Sequence, residues 1–144
     1  MGSDQGTTST NPSGNLTSTM LLSADGRSSR VARDEVRRLC SDGHVGADDV
    51  DTAVLLTSEL VTNAVVHTAD PVVLDTALGN GTLHVEVTDR SPRLPKPAAA
   101  VASYAQSGRG LLLVVELADR WGYRPSRFTR PGKTVWFELD VAAA

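Results

Sequence analysis

Three polar side chains recur at intervals of four along one segment of the chain: Glu59, Asn63 and His67. Because four residues turn an α-helix by about 400°, a helix here would carry all three on one stripe. A carboxylate such as that of Glu59 can accept a proton or position a water molecule, and the amide oxygen of Asn63 is a hard ligand that suits Mg²⁺. The spacing therefore predicts a general base and a magnesium ligand on one helix face, with an ordinary solvated face as the alternative.

Apolar residues of the same segment run beside that polar stripe. At helical spacing they form a second stripe, which would face the core: Val50, Ala53, Val54, Leu60, Val61 and Ala64. The polar stripe therefore borders the core, where the wall of a cleft would lie.

Asp89 follows three apolar residues that alternate along a predicted strand, Leu83, Val85 and Val87. Alternation places the aspartate on the same, core-facing side, at the end of the strand. A carboxylate there needs hydrogen-bond donors, and the exocyclic amino group of a purine is one. The alternative is an aspartate that only ends the strand in a turn, which the Ser91-Pro92 pair favours.

A glycine-rich segment, Ser107-Gly108-Arg109-Gly110-Leu111, precedes a predicted helix. Glycines at a helix start let backbone N–H groups approach an anion, and the helix dipole favours phosphate there. An ordinary turn between loop and helix is the alternative.

A second glycine segment, Gly132-Lys133-Thr134, looks like the end of a P-loop. A P-loop needs a glycine five residues before Gly132, where Arg127 stands, and a helix afterwards. The residues that follow are typical of a strand, so the sequence indicates no P-loop here.

The order of elements predicts a two-layer α/β sandwich, in which helices cover one face of a mixed, mainly antiparallel sheet. Residues 1–15 contain no aliphatic side chain after the initiator methionine, which is typical of a disordered tail, and residues 16–144 form a single domain. The predicted elements begin with an edge strand at Leu16–Leu22, a helix at Ser29–Ser41 that is capped by Ser28 and ended by Gly43, and a helix from Asp48 (in a capping box with Asp51) to about His67. Two strands follow at Val72–Leu78 and Leu83–Asp89, around the turn Gly79–Gly81. The chain continues with a long loop at Arg90–Gln106, a helix at Leu111–Asp119, and strands near Trp121–Arg124 and Thr134–Val141.

Composition and charge exclude several classes of protein. The chain has 14 Lys plus Arg against 17 Asp plus Glu without a basic cluster, which argues against nucleic-acid binding. The longest apolar run, Leu111–Val115, is far too short for a membrane span, and the N-terminus lacks a signal sequence. The single cysteine, Cys40, fits a reducing compartment, so we expect a cytoplasmic protein.

These features in this order are more specific than any one of them. A helix with Glu-x3-Asn-x3-His, a strand ending in Asp, a loop, and a GxG that opens a helix resemble the GHKL (Bergerat-fold) ATPase superfamily. More closely, they are similar to bacterial anti-sigma-factor serine/threonine kinases and their actinobacterial relatives. The resemblance covers the chain from Arg27 to Leu139, and it implies ATP and Mg²⁺ as cofactors.

The resemblance also implies roles for individual residues. Asn63 would hold Mg²⁺, Glu59 would act as the general base, and Asp89 would bind the adenine amino group. The turn around the phosphates would be formed by Gly108, Arg109, Gly110 and Leu111. Thr134 would lie on a late strand near the adenine, and His67, which follows the Asn-Ala pair, would be a further nucleotide-binding position.

The chain departs from the family after its aspartate. Relatives usually carry glycines there (DxGxG), which loosen the start of the ATP lid, whereas residues 89–93 contain no glycine and Pro92 stiffens the backbone. The adenine contact uses the Asp89 side chain and is compatible with this change. Lid closure, nucleotide affinity and turnover are the properties that it would alter.

Three functions follow from the resemblance. The leading hypothesis is an anti-sigma factor that phosphorylates a serine or threonine of an anti-anti-sigma (STAS-domain) partner, with a sigma factor as a further partner and a homodimer as the family's frequent state. The second is a non-catalytic module that sequesters a sigma factor or its antagonist by contact. The third, the catalytic fragment of a histidine kinase, is disfavoured because no upstream helix with a phosphoacceptor histidine precedes the domain.

Overall fold

A computed structural model describes residues 7–10, 14–66, 68–91, 109–126 and 132–143. Within these ranges the chain alternates between helices and strands that form two layers. The elements are the helices α1 (Ser28–Asp42), α2 (Ala47–Val66) and α3 (Arg109–Leu117), and the strands β1 (Thr7–Thr10), β2 (Leu16–Leu22), β3 (Val72–Gly79), β4 (Thr82–Asp89), β5 (Arg120–Pro125) and β6 (Lys133–Asp140).

The strands form one sheet in the order β1-β2-β3-β4-β6-β5, and each neighbouring pair is antiparallel. The pairing of Leu22 with Val72 shows that β3 starts beside the end of β2, so α1 and α2 together return the chain to that end of the sheet. The expected two-layer α/β sandwich is confirmed. Among the described strands the sheet has no parallel pair, although the sequence predicts a mixed sheet.

The core lies between the helices and the inner face of the sheet. On β4, Leu83, Val85 and Val87 point to this inner face and are buried, and His84 and Glu86 alternate with them on the outer face. The helices contribute a matching set of buried side chains, and the largest of those that are fully buried are Val36, Leu39, Leu56, Val61 and Val114. None of the helices in the described ranges is long and apolar enough to cross a membrane.

Part of the predicted N-terminal tail is a strand. β1 pairs with β2 from Thr7↔Thr19 to Thr10↔Leu16, and Ser9 Oγ lies 3.0 Å from Thr17 Oγ1. Backbone hydrogen bonds can hold such a polar segment without burial of apolar side chains, which is why its composition did not reveal it. Because β1 covers β2, the predicted edge strand is an interior strand.

The helix starts differ from the two predicted caps. Arg27 is the N-cap of α1 and its side chain makes no capping bond, while the Ser28 hydroxyl donates to the Asp25 carbonyl at 2.7 Å. The Val50 N–H donates to the Gly46 carbonyl at 3.0 Å, so α2 begins before Asp48 and leaves no capping box there. The predicted stop of α1 at Gly43 is confirmed, since its N–H donates to the Leu39 carbonyl at 3.0 Å.

The β3–β4 hairpin sets the position of Asp89. Asn80 and Gly81 have φ values of 55° and 75°, and two left-handed residues in succession are typical of a type I′ turn. The hairpin turn that the sequence predicts is therefore present. The turn pairs Gly79 with Thr82. With that register fixed, β4 runs to Asp89 at the opposite end of the sheet from the turn.

Candidate functional site

Glu59 and Asn63 lie one turn apart on α2, at the rim of the core. Both side chains are half-buried, beside the buried Leu60 and Ala64 and next to the exposed Thr62. The structure thus places the polar stripe where the spacing predicts it, along the border of the apolar face. His67, the third member of the stripe, lies outside the described residues.

No hydrogen bond or ion pair engages the side chains of Glu59 and Asn63 within the described ranges. A half-buried carboxylate and amide without such partners are suited to a ligand, since each retains its acceptor oxygens. The same ranges contain no cluster of three or more His, Cys, Asp or Glu side chains that could hold a metal. The amide oxygen of Asn63 fits a Mg²⁺ ion that arrives with a nucleotide, because such an ion keeps several waters and takes few protein ligands.

Asp89 ends β4 on the inner face, and its side chain is only 2% exposed. Its Oδ1 accepts a hydrogen bond of 2.7 Å from the backbone N–H of Ser91, which is the geometry of an Asx turn. The turn role that the sequence left open is therefore present. It uses one lone pair of one carboxylate oxygen, so it does not exclude a second, ligand-binding role.

Lys133 is the cation that faces Asp89. The two residues are paired directly across β4 and β6, and Lys133 Nζ lies 2.9 Å from Oδ2 and 3.1 Å from Oδ1 of the carboxylate. The lysine side chain is 7% exposed. In the sequence Lys133 stands out only within the segment that was rejected as a P-loop, and no role in the site is expected of it. Its alternation with the core residues Val135, Phe137 and Leu139 was the available signal, because this alternation places a lysine on the core-facing side of the strand.

Thr134 is not brought together with Asp89. It is paired with Thr88 across the two strands, and the Oγ1 atoms of these buried threonines lie 2.8 Å apart. Because strand side chains alternate, this pair points to the face opposite Asp89. The register places Lys133, and not Thr134, beside Asp89. This geometry therefore gives no support to the expected proximity of Thr134 to the adenine.

The first turn of α3 begins at Arg109, so the predicted helix start at Leu111, after the GxG segment, is two residues late. Leu111 and Val114 are buried, and α3 packs against α2, which carries Glu59 and Asn63. The first N–H groups of a helix have no acceptor within it and carry the positive end of the dipole. Gly108 and residues 92–93, at the expected start of the ATP lid, lie outside the described residues.

The outer face of the same strands carries a different set of charges, which we call the outer-face cluster: His84, Glu86, Arg120, Arg124 and Glu138. The two ring nitrogens of His84 each lie 2.9 Å from a carboxylate oxygen, Nδ1 from Glu138 and Nε2 from Glu86. Arg124 Nη2 donates to Glu86 at 2.9 Å, and Arg120 Nε donates to Glu138 at 2.6 Å.

These contacts set the charge of the two carboxyls in the outer-face cluster. Burial opposes ionisation of Glu86, but the hydrogen bonds from His84 and Arg124 outweigh it and hold the pKa of Glu86 below its ordinary value. The hydrogen bond from Arg120, with help from His84, lowers the pKa of Glu138. Both groups are therefore ionised at neutral pH and hold the cluster together.

The fold has counterparts among solved structures. The RsbU and RsbW domains of Rv1364c from Mycobacterium tuberculosis superpose with a TM-score of 0.68 and 20% identity, over 89% of this chain and 33% of that one. The SiaB–SiaC complex from Pseudomonas aeruginosa gives 0.59 and 10% identity, over 86% and 89%. At such identities the likeness shows the fold, and this chain spans a third of the first structure's length.

Comparison with curated proteins gives no match. Residues 22–139, most of the chain and the whole of the site region, match the histidine kinase-like ATPase domain. That range contains the α2 stripe, the end of β4 and the start of α3, in the order in which the motifs occur. The resemblance to the GHKL superfamily is thereby confirmed, and the chain belongs to the histidine kinase-like ATPase domain family.

Proposed function

We propose that this chain binds Mg-ATP and transfers its terminal phosphoryl group to a serine or threonine of a STAS-domain anti-anti-sigma factor. The observation that carries the proposal is the Glu59–Asn63 pair, half-buried one helical turn apart and without partners in the described ranges. ATP binding is supported by the family. A protein partner is supported by the SiaB–SiaC complex, in which a similar fold is assembled with a second protein.

Each residue of the site has one task in this reaction. The Asp89 carboxylate accepts a hydrogen bond from the adenine amino group. Asn63 supplies an amide oxygen to the magnesium ion, whose charge offsets that of the phosphates. The N–H groups at the start of α3 hold phosphate oxygens, where the helix dipole favours negative charge.

Glu59 serves the acceptor hydroxyl. The hydroxyl oxygen of the partner attacks the γ-phosphorus as the bond to the β–γ bridging oxygen breaks, and the hydroxyl proton passes to the Glu59 carboxylate. ADP leaves with the bridging oxygen, and the partner retains the phosphoryl group. Because Glu59 is half-buried at the rim of the core, a side chain from outside can reach it.

A second function, sequestration of a partner without catalysis, is favoured by one observation. Asp89 is engaged by both Ser91 and Lys133, so its carboxylate has protein partners in the absence of a nucleotide. In that case the chain would hold its sigma factor or antagonist by contact alone. Binding of a sigma factor and formation of a homodimer rest on the resemblance and apply to either function.

The experiment compares phosphate transfer by the wild type and by Glu59→Gln. Radiolabelled ATP is added with the STAS-domain protein that co-purifies with the chain. Removal of a general base lowers the rate by about 10²–10⁴-fold, because its contribution arises in the transition state. Glu59→Gln should therefore bind Mg-ATP and the partner normally but transfer little phosphate.

Two further variants of the chain serve as a control for Glu59→Gln and as a test of the magnesium ligand. Asp51→Asn removes an exposed carboxylate from the same helix and should transfer phosphate at the wild-type rate. Asn63→Ala should bind ATP more weakly in Mg²⁺ but not in EDTA, as measured by titration calorimetry. A wild type that binds its partner and Mg-ATP but transfers no phosphate would establish the sequestering function instead.

A further inference from the structure

The end of β4 and the start of β6 present an acceptor and a donor side by side. Asp89 Oδ2 and Lys133 Nζ are 2.9 Å apart, and both side chains are more than nine-tenths buried. Direct pairing of the two residues across the strands fixes this order, with the carboxylate on one strand and the ammonium group on the next. A ligand that binds at this edge of the sheet would contact both groups.

The described residues leave part of the hydrogen-bonding capacity of the pair unfilled. Each carboxylate oxygen can accept two hydrogen bonds, and an ammonium group can donate three. Oδ1 accepts from Ser91 and Lys133, whereas Oδ2 has only Lys133 as a donor in the described part of the chain. Both described contacts of Lys133 go to the same carboxylate, so at least one of its N–H groups has no acceptor among the described residues.

Unfilled capacity at a buried ion pair is unfavourable, because desolvation of each charge is offset only by good contacts. A ligand that supplies one donor and one acceptor, next to each other, would complete the arrangement. Adenine offers such a combination on both of its edges, since the 6-amino group lies between two ring nitrogens that accept hydrogen bonds, N1 and N7.

We propose that Lys133 is a second base-reading residue, which donates to the ring nitrogen beside the adenine amino group while Asp89 accepts from that amino group. This inference rests on the proposed binding of ATP and extends it. Asp89 alone selects a donor, whereas the pair selects a donor and its neighbouring acceptor. The pair thus reads adenine in the way that a bidentate side-chain amide reads it in DNA.

The same pair rejects a 6-oxo purine in the same orientation. Guanine and hypoxanthine place a carbonyl oxygen opposite Asp89, so that two acceptors face each other. On the N1 edge they also place an N–H group opposite Lys133, so that two donors face each other. Lys133 therefore strengthens the preference for ATP over GTP and ITP beyond what Asp89 provides.

The test measures the binding of ATP, 1-deaza-ATP and 7-deaza-ATP by titration calorimetry, in the wild type and in Lys133→Met. One of the two analogues lacks the acceptor that Lys133 reads, and the wild type should bind it about tenfold or more weakly than ATP. Lys133→Met should lose a similar factor for ATP and should no longer distinguish ATP from that analogue. The analogue that loses affinity identifies the edge.

Two variants control for folding and charge. Lys133→Arg keeps a donor and should retain the distinction between ATP and the analogue, while Arg37→Met removes a remote exposed cation and should change nothing. Thermal unfolding establishes that each protein is folded. Should Lys133→Met fail to fold, the wild-type series decides alone, because equal affinity for all three nucleotides would overturn the inference.

Other outcomes separate this inference from the proposed function. If Lys133→Met binds ATP but discriminates between the analogues as the wild type does, Lys133 only holds Asp89 in place and ATP binding stands. Tighter ATP binding by Lys133→Met would show that the lysine occupies the position of the base. A wild type that binds none of the nucleotides would overturn both the inference and the proposed nucleotide site.

Discussion

Strands β4 and β6 carry charged groups on both faces, and the two faces differ in the solvent exposure of those groups. On the inner face, Asp89 and Lys133 are 2% and 7% exposed and form a single pair. On the outer face, the five side chains of the outer-face cluster are 21–47% exposed and share their contacts through His84. The register of the strands is common to both.

The difference indicates what each arrangement contributes. Exposed ion pairs stabilise a fold by about 0.2–1 kcal/mol each, at little desolvation cost. A buried pair gains little net stability over apolar residues of similar size, because removing two charges from water cancels most of their attraction. Stability therefore accounts for the outer-face cluster, whereas the proposed recognition of adenine gives Asp89 and Lys133 a role that stability does not.

The largest effect on stability is expected from breaking the inner pair. Lys133→Met leaves Asp89 as a buried carboxylate without its cation, which should lower the free energy of unfolding by about 3–5 kcal/mol. Glu86→Gln on the outer face should lower it by about 0.2–1 kcal/mol. Urea unfolding at pH 7 measures both.

The double variant Asp89→Asn with Lys133→Met sharpens this comparison. It removes both charges and keeps an acceptor for the Ser91 N–H, so it should regain most of the stability that Lys133→Met loses. Equal losses in Lys133→Met and Glu86→Gln would contradict the distinction between the two faces.

The next effect concerns nucleotide binding and should be confined to the inner face. Asp89→Asn keeps the size of the side chain but allows an amide N–H to face the adenine amino group, so ATP affinity should fall by about tenfold or more and the preference over GTP should narrow. Calorimetric titration with both nucleotides measures this. Glu86→Gln, an equivalent change on the outer face, should leave both affinities unchanged.

If Asp89→Asn retained the full affinity for ATP and the full preference for ATP over GTP, the role of Asp89 would be limited to its turn with Ser91 and its ion pair with Lys133. In that case the inner pair would be structural, as the outer-face cluster is.

Much of the fold and part of the site could be predicted from local patterns. Alternation in β3 and β4, the Asn80-Gly81 turn and the apolar stripe of α2 each depend on residues close in sequence, and the structure agrees with all three. The position of Glu59 and Asn63 at the rim of the core follows from the same helical period. Local periodicity was sufficient for these elements because each one faces a single core.

The features that the sequence did not reveal depend on pairing between distant segments. β1 exists because its backbone meets β2, which composition alone does not encode. Lys133 meets Asp89 across 44 residues of chain, and its burial follows from the β4–β6 register. The same register turns Thr134 to the outer face, a placement that the family resemblance did not supply.

The smallest effect tests the outer-face cluster through its dependence on pH. The hydrogen bonds from His84 and Arg124 lower the pKa of Glu86 from its ordinary value of 4.5, despite the burial that opposes this. A carboxyl whose pKa is lower in the folded state contributes stability that is fully present above the unfolded value and disappears as the pH falls through the folded one. The stability difference between the wild type and Glu86→Gln should therefore shrink as the pH falls below about 4.5. Other carboxyls titrate in both proteins and largely cancel in this difference, and a comparison of about pH 5 with about pH 3.5 avoids the range in which histidine side chains change their charge. Urea unfolding of the two proteins at these two pH values therefore measures the contribution of Glu86. A difference that is larger at about pH 3.5 than at about pH 5 would mean that Glu86 is not held ionised by His84 and Arg124, and it would contradict a stabilising role for the outer-face cluster.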